Sequence, residues 1–104
     1  MSSGVTITLS MQLKPEVADD FCAGMSESIK ETSKRPGFRS IRIVRHKDDP
    51  TRLLLVENWD EEQNYHDYIA WRTERGDMDA FGEVLAAPPT LDIWTRPVAA
   101  IPNS

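Results

Sequence analysis

Four aromatic side chains, a histidine and an arginine fall within fourteen residues, Trp59 to Arg72, of a chain of 104 residues. Trp59, Tyr65, Tyr68 and Trp71 can wall a pocket for a planar ring. A tyrosine hydroxyl, the Arg72 guanidinium or the Asn58 amide can hydrogen-bond an oxyanion, and His66 is the candidate base of this region. Such a set suits a reaction in which a proton leaves an aromatic ligand and the resulting anion is stabilised. The plainer reading of each residue is packing for Trp59, Tyr65 and Tyr68 and solvent exposure for His66. Asp60-Glu61-Glu62 reads as helix capping and not as a catalytic carboxylate pair.

The elements that position these residues follow from periodicity. Leu53-Leu54-Leu55-Val56 has no polar face, so as a strand it demands cover on both sides of its sheet. Asp60 with Gln63 three residues on has the form of a capping box and predicts a helix start at Asp60. Upstream, Val5, Ile7, Leu9, Met11 and Leu13 alternate with polar residues, as in a strand with one apolar face. Pro15 opens a helix whose stripe is Val17, Phe21, Met25 and Ile29; Met25 and Cys22 read as plain core. Pro36-Gly37 turns the chain into a strand over Phe38 to His46, with Ile41 and Ile43 on one face and Phe38, Ser40, Arg42, Val44 and His46 on the other. Arg42 reads as an interface residue. Lys47 to Thr51 is a hairpin turn. Gly76-Asp77 stops one helix and caps a shorter one lined by Met78, Phe81, Val84 and Leu85, with Phe81 a further candidate for substrate contact. Pro88-Pro89 ends it, and Leu91 to Arg96 reads as the last strand.

The order is that of an α+β, ferredoxin-like split βαβ fold: a four-stranded antiparallel sheet with helices on one face. The chain reads as a single domain with a core from about residue 5 to 96 and a short tail from 97 to 104. At roughly 25 cal/mol per Å², a wet second sheet face would be costly, so a homodimer with sheets packed face to face is expected.

Composition narrows the function classes. A net charge of −5 with scattered Lys and Arg argues against a nucleic-acid partner. No apolar run approaches a membrane span, and the polar lead-in from Met1 to Gly4 does not resemble a secretory signal, so a cytoplasmic location and no membrane partner are expected. Cys22 has no partner cysteine, no Cys/His cluster has metal spacing, and no glycine-rich phosphate loop occurs. Neither metal nor other cofactor is therefore expected.

The order Arg35-Pro36-Gly37-Phe38, Asp49-Pro50-Thr51-Arg52, Leu55-Val56-Glu57-Asn58-Trp59-Asp60, then an aromatic helix with Tyr65 and Tyr68, then Pro88-Pro89, resembles the antibiotic biosynthesis monooxygenase domain family from Val5 to about Arg96. The resemblance implies a dimeric α+β barrel and, by analogy with several members, oxidation of a phenolic or quinol-type polycyclic substrate by dioxygen without metal or flavin. In those members a tryptophan ends the third strand and a tyrosine follows six residues later, which Trp59 and Tyr65 match. An asparagine four residues before the tryptophan is Leu55 here, and Asn58 lies on the opposite strand face. The family's arginine has no position-matched equivalent, though Arg72 lies one helical stripe on from Tyr65 and Tyr68. Haem-degrading relatives use an asparagine on the first strand, absent here, and a histidine later in the helix than His66. Two other readings stand beside monooxygenation: a non-catalytic binding or structural dimer, and an isomerase-like activity on the same barrel.

Overall fold

The structure, a computed structural model, describes residues 4–101; the first three residues of the lead-in and the last three of the tail lie outside it. The strands are β1 (Val5–Gln12), β2 (Phe38–Arg45), β3 (Arg52–Trp59) and β4 (Thr90–Trp94). The helices are α1 (Ala18–Thr32), entered through a 3-10 turn at Pro15–Val17, α2 (Glu62–Glu74) and α3 (Asp77–Val84). The sheet order is β2-β3-β1-β4 with every neighbour antiparallel, so β3 lies between β1 and β2: the split βαβ arrangement of a ferredoxin-like fold.

Register decides which side chains meet the helices. Val5, Ile7, Leu9 and Met11 pair with Trp59, Glu57, Leu55 and Leu53, and this shared face is the helix-covered one. Two clusters of buried residues sit under the helices, one around Ile7, Trp59 and Tyr65 and one around Met11, Leu13, Ala18 and Leu53. The other face carries Thr6, Thr8 and Ser10 of β1 beside Leu54, Val56 and Asn58 of β3. No element among the described residues covers it: Leu54 is 39% exposed and Trp94 58%.

Three local readings change. Strict alternation would put Phe38 with Ser40 and Arg42, away from the helices. A bulge between Phe38 and Ser40 gives β2 an extra residue, so Phe38 pairs with Trp59 and meets its ring edge-on at 5.5 Å. The cap of α2 is Glu61 and not Asp60: the Asn64 side chain accepts from the Glu61 backbone N–H at 2.9 Å. Asp60 is engaged elsewhere, its backbone N–H on the Gly37 carbonyl at 2.8 Å and its carboxylate on Arg39 Nε at 2.6 Å. Gly37 itself has φ +80°, and a Cβ there would strike the Asn64 side chain, so the turn before β2 and the cap of α2 jointly require glycine. Finally, α3 is capped by Gly76, also at positive φ, with Asp77 at its first position. Among the described residues no helix is long and apolar enough to cross a membrane.

Candidate active site

Between the sheet and the three helices lies a cavity of about 690 Å³, within the size range of small-molecule sites. Leu9, Met11, Ile43, Leu55 and Glu57 form its floor. Phe21 and Met25 of α1, Tyr65, Tyr68 and Ile69 of α2, and Met78 and Phe81 of α3 form its walls. Polar groups gather at one end, toward the C-terminal halves of α1 and α2, and the opposite end is apolar.

That polar end is built on Arg72, which is 8% exposed. Its guanidinium donates four hydrogen bonds: Nε to Tyr68 Oη at 3.1 Å, Nη1 to Asp77 Oδ2 at 3.0 Å, and Nη2 to the Ser28 carbonyl and Thr32 Oγ1, each at 3.1 Å. Thr32 Oγ1 and Tyr68 Oη lie 3.0 Å apart and close the network. One side chain thus ties α1, α2 and α3 together. Burial alone would lower its pKa, but the hydrogen bonds it donates to Asp77 and Tyr68 outweigh that and hold it above the ordinary arginine value. With its donors largely committed, Arg72 is a clamp that fixes Tyr68 more than a free anion hook.

Tyr65 differs from Tyr68. It is 6% exposed, lines the cavity, and its hydroxyl has no hydrogen-bond partner among the described residues. Burial, then the nearby Glu57 and Tyr68, raises its pKa far above the usual phenol value, so it remains a donor throughout the physiological range. Glu57 faces it from the floor. This carboxyl is 4% exposed, and its Oε1 accepts the Trp59 indole N–H at 3.1 Å. Burial raises its pKa, against the opposing pull of the Trp59 hydrogen bond and the Arg72 charge.

The side chains singled out from sequence divide accordingly. Tyr65, Tyr68, Arg72 and Phe81 all line the cavity. Trp59 lies one layer beneath it, fully buried, with its ring packed against Phe38, Tyr65 and Tyr68 at 5.5, 6.4 and 5.2 Å. Trp71 contacts Tyr68 but faces outward, with the guanidiniums of Arg35, Arg72 and Arg75 at 4.5, 5.1 and 4.5 Å from its ring. Asn58 does not reach the site. It lies on the open sheet face, accepting from Thr6 Oγ1 at 2.7 Å and donating to Ser40 Oγ at 2.9 Å. Nor does His66, one residue off the inward stripe of α2, which is exposed and paired with Glu62 at 2.8 Å. Glu57, Thr32 and Asp77 were not singled out. For Glu57 a signal existed: it shares strand parity with Leu53, Leu55 and Trp59, which marks a carboxylate on the core face. Among the described residues no group of three or more His, Cys, Asp or Glu is placed to hold a metal ion.

With this geometry in view, the likeness to known proteins is specific. The model of the antibiotic biosynthesis monooxygenase family matches residues 4–81. Solved structures share the fold over nearly their whole length. A conserved protein of Methanosarcina mazei Go1 is 20% identical with a TM-score of 0.80, covering 90% of this chain and 93% of its own. A variant of SnoaB, a cofactor-independent oxygenase from Streptomyces nogalater, is 12% identical with a TM-score of 0.79, covering 94% and 97%. A Mycobacterium tuberculosis protein is 18% identical with a TM-score of 0.75, covering 98% and 99%. No curated protein matches the sequence significantly. The family match spans β1 through Phe81 in the middle of α3, leaving out only the end of α3 and β4 among the elements that border the cavity, and the chain belongs to the antibiotic biosynthesis monooxygenase family.

Proposed function

We propose that the protein is a monooxygenase that oxidises a planar aromatic, phenolic or quinol-type small molecule with dioxygen and uses no metal, flavin or other cofactor. The observation that carries this reading is the cavity: apolar walls sized for fused rings, with a tyrosine hydroxyl inside that has no hydrogen-bond partner among the described residues and whose pKa burial raises. A ring bound between the packed Phe21–Phe81 pair and Leu55 loses a proton and becomes an electron-rich anion. Tyr65 donates to the developing oxyanion, and the anion itself reduces dioxygen. One oxygen atom enters the product and the other leaves as water, the substrate supplying both hydrogens. Anthrone, a fused tricyclic ketone with an acidic methylene, is a suitable probe: anthrone plus dioxygen gives anthraquinone plus water. Dioxygen uptake on adding anthrone or 1-naphthol tests the reading, and no uptake with either, despite binding, contradicts it.

Tyr65→Phe gives a sharper result. Because the hydroxyl bonds no described residue, its loss should leave the melting temperature within a few degrees of native. Turnover should fall on the order of 10- to 1000-fold, as when other oxyanion donors are removed. An unchanged rate would assign Tyr65 to the core alone.

The second reading, a dimer that binds such ligands without turnover, draws on Leu55 lining the cavity where oxidising members carry an asparagine. Either way we infer that a second copy covers the open sheet face, where Leu54 and Trp94 stand exposed beside Val44 and Val56. Light scattering at micromolar concentration should then give twice the 11.8 kDa chain mass. A stable monomer would refute the covered face.

A further inference from the structure

We propose that Glu57 is the proton acceptor of the cavity, presented to the ligand by the Trp59 indole N–H. This rests on the cavity being an aromatic-ligand site, as proposed above.

The geometry is that of a carboxylate held by one oxygen and open at the other. Oε1 is fixed by Trp59 at 3.1 Å, and Oε2 has no hydrogen-bond partner among the described residues, although the side chain lines the cavity. Its flanking neighbours in the sheet, Ile7 on β1 and Ile41 on β2, are apolar and supply no donor. A buried glutamate oxygen left without a hydrogen bond costs stability. Trp59, fully buried by Phe38, Tyr65 and Tyr68, cannot turn away, so the Glu57 carboxylate has a fixed aim.

The charged and titratable groups around it come from all three helices. Tyr65, Tyr68 and Arg72 on α2 face the cavity, Glu31 on α1 and Asp77 on α3 line its polar end, and Arg75 stands at the α2–α3 junction. Arg75 pairs with Glu31, and Arg72 with Asp77 at 3.0 Å, so those charges largely offset one another. Burial remains the main influence on Glu57 and raises its pKa above the ordinary glutamate value, which makes the carboxylate a stronger base. The step itself needs no oxidant. The C–H bond of an acidic ring methylene breaks, its electron pair delocalises onto the ring oxygen, and the proton passes to Glu57. Tyr65, across the cavity, donates to that oxygen.

The test separates this step from dioxygen chemistry. Anthrone is incubated with the protein in D2O without oxygen, and exchange of its methylene protons is followed by NMR across pH. Binding is measured in parallel by tryptophan fluorescence. Glu57→Gln keeps the shape and can still accept from Trp59. It should bind anthrone within about threefold of native yet lose about 100-fold or more of the catalysed exchange, the usual contribution of a general base. Trp59→Phe removes the indole N–H that favours the charged carboxylate. Exchange should then survive at high pH with its acid limb moved to higher pH. Exchange in Glu57→Gln within threefold of native would overturn the assignment of the base, and an unmoved acid limb in Trp59→Phe would overturn its presentation by Trp59. Native exchange without dioxygen uptake would sustain Glu57 while contradicting the monooxygenase reading; absence of native exchange would overturn Glu57.

Discussion

Replacing Arg72 with leucine should lower the stability of the fold by about 3–5 kcal/mol, the usual cost of removing one partner from a buried ionic network. The substitution leaves Asp77, Tyr68, Thr32 and the Ser28 carbonyl without their shared donor at the point where three helices meet. Asp77 has about a third of its side chain in water and recovers some solvation, which favours the lower end of the range. Even so, about 3 kcal/mol is a large share of the 5–15 kcal/mol that holds a domain together, and for a chain of this size it lowers the melting temperature by more than 10 °C. Arg72→Lys should recover little, because one ammonium cannot present the fork that reaches four acceptors. Urea unfolding checks both variants. A loss below about 1 kcal/mol in Arg72→Leu would mean that the network contributes little.

Trp59→Ala should cost as much by a different route. The indole is 0% exposed and packs against three aromatic rings, and deleting a buried aromatic typically costs about 3–5 kcal/mol through lost transfer free energy and the void left behind. Trp59→Phe keeps a ring in the site and should lose less than half of that. The two variants distinguish packing from hydrogen bonding: both remove the indole N–H bond to Glu57, but Trp59→Ala alone empties the space under Tyr65 and Tyr68. Equal losses would mean that the hydrogen bond, and not the packing, governs stability here.

Glu57 makes a stability prediction of opposite sign. Its folded pKa is raised, so its contribution is fully present below the ordinary glutamate pKa and is lost as pH rises through the raised value. At neutral pH the ionised buried carboxylate therefore weighs against folding. Glu57→Gln should melt above the native protein at pH 7–8, with the difference shrinking as pH falls and gone below about pH 3.5, where the carboxyl is protonated in both states. A variant that melts lower than native at pH 8 would contradict the burial of an uncompensated charge.

The periodicities of Val5–Gln12 and of α1 were enough to place the sheet and its helix-covered face, because side-chain alternation and the helical stripe answer directly to burial. What they could not carry were departures from period. The bulge that turns Phe38 inward depends on how β2 pairs with β3, and the cap moved from Asp60 to Glu61 because Arg39 and the Gly37 carbonyl, distant in sequence, engage Asp60. The site follows the same pattern. Tyr65, Tyr68 and Arg72 share a stripe of α2 and are found by counting, and His66 leaves the cavity by being one residue off it. Glu57 was hidden by the apolar run before it: Leu53 to Val56 suggests a strand without a polar side, which obscures that Glu57 falls in phase with the inward residues. The network of Thr32, Arg72 and Asp77 joins three helices and exists only in the folded chain.

The central claim is that the cavity converts a planar aromatic ligand with dioxygen as the only oxidant. Its most direct test is anthrone turnover under 18O2 by the metal-stripped, flavin-free protein, with mass spectrometry of the anthraquinone formed. The account predicts one labelled oxygen per product, one dioxygen consumed per anthraquinone, and a rate lowered on the order of 10- to 1000-fold in Tyr65→Phe. Product carrying no label, or formed no faster than in protein-free buffer, would contradict it.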